Sequence, residues 1–298
     1  MRASPNRRYE TSVRVVVIGA AGQLGSDLMT AFASYEPIGV DHRLFDIEVP
    51  AAISTMLLRY KPDLVLNTAA FHNVELCETR PDRAFAINAL AVDNLASQCA
   101  AAGVILAHIS TDYVFDGTAK QPYREDDATR PLSTYGISKQ AGERLLWRSC
   151  ERGYVFRTSG LYGLRGSSTK GYTFIERVLT QAAEKKALRV VTDITFSPSF
   201  TGHVALAIRR IVERGVFGTY HVTNTGACTW YEFASEALVQ SGYDVPVERV
   251  TSSTYPTLAR RPSYSPLEHA GMHALAMSPV ASWQDGIRAY LAERSPTG

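Results

Sequence analysis

The sequence is poor in cysteine and has none of the cysteine spacings that mark metal or disulfide sites. Its four cysteines are far apart, with no C-x-x-C pair and no His/Cys grouping at zinc spacing: Cys77, Cys99, Cys150 and Cys228. Widely spaced, reduced thiols are typical of cytosolic proteins. We therefore expect a cytoplasmic protein, and its 298 residues are enough to bury one good hydrophobic core.

Long apolar runs and an excess of one charge are also lacking. The apolar stretch at residues 13–21 is far shorter than the roughly 20 residues that cross a bilayer. Residues 1–12 are polar and are not followed by the apolar segment of a signal peptide, so we expect a frayed leader there. The formal net charge of +2 gives no electrostatic reason to expect nucleic acid. We predict neither a membrane nor a nucleic acid as partner.

What the chain does have is a regular alternation of strand and helix patterns. Residues 13–18 are almost entirely β-branched, as in a strand buried on both faces. Further strands are predicted at 37–41, 64–68, 104–109, 154–158, 188–191 and 218–222, and helices at 26–34, 51–60, 83–102, 133–151, 173–186 and 203–213. Strand–helix alternation without hairpins predicts the α/β class, a doubly wound parallel sheet with a smaller C-terminal lobe. We expect a dinucleotide-binding domain at 13–163 plus about 187–223, and a substrate-binding lobe at about 164–186 plus 224–298.

A glycine-rich turn joins the first strand to the first helix. Its spacing is G-x-x-G-x-x-G, with Gly19, Gly22 and Gly25 enclosing Gln23 and Leu24. Glycines let the backbone approach a pyrophosphate, and the helix N-terminus adds amide donors. The turn therefore predicts a dinucleotide site, the alternative being glycines needed only for tight packing.

The end of the second strand leaves the choice of dinucleotide open. Asp41 can accept hydrogen bonds from the adenosine ribose, which favours NAD, whereas His42 and Arg43 can neutralise a 2′-phosphate, which favours NADP. All three are as easily explained as surface charge. Other candidates for contact with the dinucleotide follow the second and third strands: Asp46, Ile47, Asn67, Ala69 and Ala70.

The strongest catalytic signal is Tyr135 with Lys139, four residues later on a predicted helix. This spacing places the phenol and the amine on one helix face. An ammonium beside a phenol favours the phenolate, so we expect Lys139 to lower the pKa of Tyr135. Ser110 and Thr111 end the fourth strand and could bind a substrate carbonyl, or else form an ordinary turn. His72, Glu75 and Glu78 do not have a recognised ligand spacing, so no metal is predicted.

Several segments resemble the extended short-chain dehydrogenase/reductases, and within them the dTDP-4-dehydrorhamnose reductase family. The matching segments run from the glycine turn to the substrate lobe: G-A-A-G-Q-L-G at 19–25, S-T-D-Y-V-F-D-G at 110–117, Y-G-I-S-K at 135–139, R-T-S at 157–159, T-W-Y-E-F-A at 229–234 and R-R-P at 260–262 with Ser265. The resemblance covers nearly the whole chain. It implies a Rossmann domain and NADPH or NADH as cofactor, a nucleotide-linked keto sugar as substrate, and a homodimer.

The resemblance also implies roles for individual residues. Tyr135 would protonate the substrate oxygen, Lys139 would hold the nicotinamide ribose and tune the phenol, and Thr111 would orient the carbonyl. The reaction would be reduction of a 4-keto-6-deoxyhexose, the last step of dTDP-L-rhamnose synthesis. Residues expected to contact the sugar are Val74, Glu75, Tyr113, Gly160 and Arg261.

Three stretches depart from the family pattern. The family's threonine–x–valine–aspartate stretch is His72-Asn73-Val74-Glu75 here, its tryptophan after R-T-S is Gly160, and its D-Q-x-x-x-P-T stretch is D-I-T-F-S-P-S at 193–199. All three would lie at the sugar rather than at the cofactor, so the identity of the hexose stays open. Two alternatives remain: a nucleotide-sugar epimerase with bound NAD, and a non-catalytic NADP-binding protein resembling the regulatory subunit of methionine adenosyltransferase.

Overall fold

The structure, a computed structural model, describes residues 13–42, 45–165 and 171–294. The expected leader at 1–12 and the cofactor candidate Arg43 lie outside these ranges. The strands are β1 (Val15–Ile18), β2 (Ile38–Val40), β3 (Leu64–Asn67), β4 (Ile105–Thr111), β5 (Gly153–Thr158), β6 (Leu161–Tyr162), β7 (Leu188–Val191), β8 (Thr195–Phe196), β9 (Ser199–Phe200), β10 (Gly218–His221), β11 (Cys228–Thr229) and β12 (Val247–Val250).

The helices alternate with these strands over most of the chain. They are α1 (Gln23–Ala31), α2 (Pro50–Tyr60), α3 (Val74–Thr79), α4 (Pro81–Phe85), α5 (Ala91–Ala101), α6 (Thr134–Ser149), α7 (Phe174–Ala183), α8 (Thr201–Arg214), α9 (Trp230–Gln240), α10 (Ala270–Ala274) and α11 (Trp283–Glu293). Within the described residues no helix is both long enough and apolar enough to cross a membrane.

A six-stranded parallel sheet in the order β10-β5-β4-β3-β1-β2 forms the centre of the fold. Both of its faces are covered, which explains the unbroken β-branched run in β1. Val15 and Val17 pack on the side of α1 and α8, whereas Val16 and Ile18 pack on the side of α2 and α5. Alternate side chains of one strand thus enter two separate cores. The predicted doubly wound α/β fold is confirmed.

The predicted strand at 188–191 exists, but it lies outside the six-stranded sheet. It is β7, and it pairs in parallel with β12 in a separate two-stranded sheet. Leu188 and Val190 are buried with residues of α7 and α9, while Arg189 between them is exposed. A strand with one solvated face does not suit the middle of a doubly wound sheet. The bounds of the two predicted lobes stay a prediction.

The predicted long helix at 83–102 is a helical run of three parts. A π-helical segment, Ala86–Leu90, joins α4 to α5. Single π-helical turns inside helices are often found beside functional sites. Here the segment faces α6, since a Cβ at Gly142 of that helix would lie 2.1 Å from the Asn88 carbonyl oxygen.

Candidate active site

A cavity of about 860 Å³ opens at the carboxyl ends of the sheet strands. This is where ligands bind in doubly wound folds. Most residues singled out from the sequence lie on its walls: Gly19, Gly22, Gln23, Leu24, Gly25, Asp41, His42, Asp46, Ile47, Ala69, Ala70, Val74, Thr111, Tyr113, Tyr135, Lys139 and Gly160.

The glycine turn forms one end of the cavity and accepts no larger residues. Gly19 has a φ of 79°, and a Cβ there would lie 2.5 Å from Thr68 Oγ1. A Cβ at Gly25 would lie 2.0 Å from the Gly19 carbonyl oxygen. Helix α1 begins directly after Gly22 and has no acidic residue in its first turn. Its amide groups and positive dipole end therefore face the cavity without a competing carboxylate.

The next part of the cavity follows β2. Asp41 and His42 line it, together with Phe45, Asp46 and Ile47. Phe45 and Ile47 are buried and supply an apolar wall of the kind that holds a flat base.

An ion pair that the sequence did not reveal lines the same cavity. Arg83 of α4 donates two hydrogen bonds to the Glu48 carboxylate, at 2.7 and 2.6 Å. Both residues line the cavity. They are 35 residues apart, so no local motif could have indicated the pair.

Asn67, a predicted cofactor contact, lies behind the cavity wall rather than on it. It is fully buried, and its Oδ1 accepts a hydrogen bond from the Ala69 amide at 3.1 Å. Asn67 thereby holds the turn that presents Ala69 and Ala70 to the cavity. A contact between Asn67 itself and a dinucleotide stays a prediction.

Helix α6 carries the catalytic candidates, and its start is firmly held. Ser133 Oγ accepts from the Gly136 amide at 3.2 Å, and the Glu78 carboxylate accepts from the amide and hydroxyl of Thr134, both at 2.8 Å. These acceptors satisfy amides that a helix N-terminus leaves unpaired. Tyr135, the next residue, is thus fixed in direction.

Tyr135, Thr111 and Asp112 all line the cavity. Thr111 donates its hydroxyl proton to Asp112 Oδ1 at 3.1 Å and acts on the phenol of Tyr135, whose pKa it lowers. The Thr111 oxygen also accepts from the Tyr113 amide at 3.2 Å. The structure thus places the strand-end threonine and the tyrosine on the wall of one cavity, and their catalytic roles stay a prediction.

The carboxylate of Asp112 accepts hydrogen bonds from hydroxyl groups that are far apart in the sequence. Ser159 donates to Oδ2 at 2.9 Å, and Ser265 of the C-terminal region donates to the same oxygen at 2.6 Å. Burial raises the pKa of Asp112 to about 6, although the three hydroxyls partly counteract this effect. Asp112 is adjacent to Thr111 in the sequence, but its neighbours Ser159 and Ser265 are not, so only the fold reveals this cluster.

The expectation that Lys139 lowers the pKa of Tyr135 was wrong for this arrangement. Burial raises the pKa of the Tyr135 phenol, with Asp112 adding to the increase and Thr111 opposing it. The amine of Lys139 has other partners in this structure. Its Nζ donates to the Ile109 carbonyl at 2.6 Å and lies 3.0 Å from His108 Nε2. Burial lowers the pKa of Lys139 to about 7, against the opposing attraction of Glu143.

A buried ion pair holds the same face of α6 onto the sheet. Glu143, one turn after Lys139, accepts hydrogen bonds from Arg157 of β5 at 3.0 and 2.8 Å and one from Ser110. The side chains of Glu143 and Arg157 are only 6% and 7% exposed. Removing either partner would leave a buried charge unpaired, which is strongly destabilising.

The π-helical segment places Asn88 between the cavity wall and α6. Its amide nitrogen donates to the Phe71 carbonyl and to Ser138 Oγ, both at 3.0 Å, and its oxygen accepts from the Phe71 amide at 2.8 Å. Asn88 therefore fixes the loop after β3 relative to the helix that bears Tyr135.

The predicted sugar contacts divide into two groups. Val74, Tyr113 and Gly160 line the cavity, whereas Glu75 and Arg261 pair with each other at 2.6 Å beside it. Glu75 also accepts from the Leu258 amide at 2.8 Å. This pair connects the first turn of α3 to the C-terminal region, and a direct role for either residue in binding sugar stays a prediction.

Position 160 cannot hold a side chain in this structure. Gly160 has a φ of 50°, and a Cβ there would lie 2.4 Å from the ring of Phe196. Phe196 stacks on Trp230, with ring centroids 3.9 Å apart. This part of the cavity wall is therefore formed by Gly160 and Leu161, with the stacked rings of Phe196 and Trp230 behind Gly160.

Comparison with known proteins agrees with this site. The sequence model of the RmlD substrate binding domain matches residues 13–295. The chain belongs to this family. Spore coat polysaccharide biosynthesis protein SpsK of Bacillus subtilis (strain 168) is 38% identical over 284 residues, which cover 95% of this chain and 98% of that protein. The dTDP-4-dehydrorhamnose reductase of Aggregatibacter actinomycetemcomitans is 33% identical, covering 93% and 99% of the two chains.

A solved structure is similar over the same length. The dTDP-4-dehydrorhamnose reductase of Bacillus anthracis str. Ames, in complex with NADP, superposes with a TM-score of 0.91 at 30% identity, covering 95% of this chain and 100% of that one. The predicted membership of the extended short-chain reductases, in the dTDP-4-dehydrorhamnose reductase family, is confirmed.

Proposed function

We propose that this chain is an NAD(P)H-dependent reductase of the 4-keto group of a nucleotide-linked 6-deoxyhexose, with dTDP-4-dehydrorhamnose as the first substrate to test. One observation carries the proposal: Thr111, Tyr135 and Lys139 line the same cavity as a glycine turn in which Gly19 and Gly25 have no room for a side chain. The relatives that are dTDP-4-dehydrorhamnose reductases support this choice of substrate.

The residues of the cavity fit a dinucleotide. The tight turn needs glycine at positions 19 and 25, where a Cβ would collide with Thr68 Oγ1 or with the Gly19 carbonyl oxygen, and the start of α1 offers amide donors for a pyrophosphate. Phe45 and Ile47 provide an apolar site for the adenine. A reduced nicotinamide dinucleotide bound there would supply the hydride for the reduction.

The chain's own residues would supply the proton and hold the carbonyl. Tyr135 is positioned to give its phenolic proton to the carbonyl oxygen as that oxygen becomes negative. Its high pKa keeps the phenol protonated at neutral pH, as a general acid requires. Thr111 would orient the same oxygen, and Lys139 would bind the nicotinamide ribose. These roles follow the family resemblance and remain proposals for this chain.

The deciding experiment is a kinetic assay with purified protein, dTDP-4-dehydrorhamnose, and either NADPH or NADH. We expect loss of the reduced-nicotinamide absorbance in proportion to the sugar reduced. Tyr135→Phe should lower kcat by about 10²–10⁴-fold while dinucleotide binding is kept, because only the proton donor is removed. The matched control is Tyr255→Phe, which removes an exposed hydroxyl that does not line the cavity.

Other outcomes would point elsewhere. Interconversion of a nucleotide sugar without net consumption of NADPH or NADH would indicate an epimerase. Full activity of Tyr135→Phe would remove this tyrosine from the mechanism. The cytoplasmic location and the homodimer expected from the sequence stay predictions.

A further inference from the structure

His108 is a buried histidine that the proposed chemistry does not use. It lies on β4 behind the cavity wall, fully buried, between Asn67 of β3 and Lys139 of α6. Its Nδ1 is 3.1 Å from Asn67 Nδ2, and its Nε2 is 3.0 Å from Lys139 Nζ. Both ring nitrogens therefore have one partner each, and one of those partners is a catalytic candidate.

The orientation of the Asn67 amide fixes which ring nitrogen carries the proton. Asn67 Oδ1 accepts from the Ala69 amide at 3.1 Å, so the NH₂ group must point at His108 Nδ1. A neutral imidazole has one N–H donor and one acceptor nitrogen. Because Nδ1 accepts from Asn67, we infer that the proton of His108 is on Nε2, facing Lys139.

This tautomer has a consequence for the charge of Lys139. An ammonium has only donors, so it would oppose the Nε2–H of His108, whereas an uncharged amine can accept that proton with its lone pair. The bond from Lys139 to the Ile109 carbonyl, at 2.6 Å, is available in either state. A doubly protonated His108 is disfavoured, because burial and the proximity of Lys139 hold the pKa of this histidine well below its usual range.

The other groups around Lys139 do not remove this preference. Glu143, one turn further along α6, attracts the ammonium, but its carboxylate is already held by Arg157 of β5. Tyr135, one turn earlier, is a protonated phenol at neutral pH. His108 is thus the titratable group that contacts the amine nitrogen directly.

We propose that His108 is a positioning residue that donates its Nε2–H to Lys139, in a tautomer imposed by Asn67, and so favours the uncharged amine. Lys139 can then gain and lose a proton near neutral pH. Burial alone would also disfavour the ammonium, and the experiment separates these two causes.

The first measurement reads the tautomer directly. Two-bond ¹⁵N–¹H spectra of histidine-labelled protein distinguish Nε2–H from Nδ1–H, and the signal of His108 is the one missing from His108→Gln. We expect Nε2–H in the wild type and Nδ1–H in Asn67→Asp, because a carboxylate accepts where the amide donated. A wild-type proton on Nδ1 would overturn the proposal without any variant.

The second measurement follows the charge of Lys139 by NMR. The Cε signal of Lys139 is titrated in lysine-labelled protein, and it is identified by its absence from Lys139→Met. In Asn67→Asp the reversed tautomer accepts from the ammonium, so the midpoint should rise by about one pH unit, the size expected for one hydrogen bond. His108→Gln, which can accept from Asn67 and donate to Lys139 without titrating, should keep the wild-type midpoint.

A double-variant comparison separates the effect of the His108 tautomer from the effect of the negative charge that Asn67→Asp introduces. In a His108→Phe background the same Asn67→Asp change should shift the midpoint by clearly less, since only the charge acts. Equal shifts in the two backgrounds, or a shifted midpoint in His108→Gln, would overturn the proposal. The catalytic role of Lys139 rests on the proposed reductase activity, but both titrations need neither substrate nor cofactor, so the two ideas fail separately.

Discussion

Burial of Lys139, a catalytic candidate, lowers the stability of the folded protein. Its amine is buried, and burial lowers its pKa to about 7, whereas a lysine in an unfolded chain has a pKa near 10.4. Between these values the unfolded chain binds more protons, so this group's contribution to stability rises with pH. Below about pH 7 the full cost of burying the amine is present.

We therefore predict that Lys139→Met is more stable than the wild type at pH 7, by an amount on the order of a few kcal/mol. The advantage should shrink as the pH rises toward 10. Urea unfolding at several pH values measures it, and comparison with the wild type cancels the titration of other groups. Lys120→Met, at an exposed position, should show no such pH-dependent difference. A constant difference across the pH range would contradict the prediction.

Asp112 is the second residue whose environment decides its effect. Three hydroxyls donate to its carboxylate: those of Thr111, Ser159 and Ser265. In Asp112→Asn the NH₂ group faces donors that have lost an acceptor, at a cost of about 1–3 kcal/mol. Because burial raises the pKa of the wild-type carboxyl to about 6, its charge costs stability as the pH rises from about 4 to 7, so we predict that the variant gains stability relative to the wild type over this range, together with a lower kcat. Urea unfolding and steady-state kinetics measure the two effects. Asp126→Asn, at an exposed site, is the control, and a stability difference between Asp112→Asn and the wild type that stays constant over this pH range would contradict the prediction.

The sequence predicted the identity of the catalytic candidates but not their protonation. The spacing of Tyr135 and Lys139 and the strand-end position of Thr111 depend on local patterns, and all three line one cavity. The pKa of Lys139 depends on burial and on its contact with His108, 31 residues away. No pattern along the chain specifies such contacts between elements, so the expected effect of the amine on the phenol was wrong.

Among the elements, the turn between β1 and α1 has little room for larger residues. A Cβ at Gly25 would lie 2.0 Å from the Gly19 carbonyl oxygen, so one of the two backbones must move. We predict that Gly25→Ala weakens NADPH binding at least about tenfold, equal to about 1.4 kcal/mol. Quenching of protein fluorescence during titration measures this affinity.

Gly215→Ala provides the matched control for that change. Gly215 follows α8 with a φ of 69°, has open space around its Cβ position and does not line the cavity. It should cost roughly 1 kcal/mol of stability and leave the affinity for NADPH unchanged. Equal weakening by both variants would mean that general destabilisation, not the turn, controls binding.

Helices, strands and turns could be predicted where the pattern of their own residues specifies the local structure. The β-branched run of β1 and the glycine turn have clear local signals, and both were predicted. The bounds of the helical run at 83–102 were close, but its π-helical segment depends on the approach of Gly142 and Asn88 from different helices. The partner of β7 could not be predicted either, because β12 lies about 60 residues later and carries no matching pattern.

Over the whole molecule, the C-terminal residues contribute to the core of the dinucleotide-binding sheet. Met272, Met277 and Val280 pack in the same cluster as Val15 and Val17 of β1. Large shared cores couple the unfolding of the parts that share them. The two predicted lobes are therefore not expected to melt separately.

We predict a single cooperative thermal transition for the protein without ligands, with calorimetric and van 't Hoff enthalpies in agreement. Differential scanning calorimetry tests this directly. Two resolved peaks would show that the C-terminal region unfolds on its own. Met272→Ala should move the whole transition to lower temperature, because a buried methionine is lost from the shared core, at a cost of about 2–5 kcal/mol.

The hydrogen bond from Ser265 to Asp112 limits how this scaffold could be reused. In proteins built of a cofactor domain and a substrate lobe, exchanging lobes between relatives is an obvious route to new substrates. Here the exchanged part would contain Ser265, whose hydroxyl donates a hydrogen bond to the Asp112 carboxylate. Thr111 donates to the same carboxylate. A chimera lacking the Ser265 hydroxyl would change its substrate pocket and disturb its reaction centre at once. Engineered variants should therefore retain the serine, or alter Asp112 in the same step.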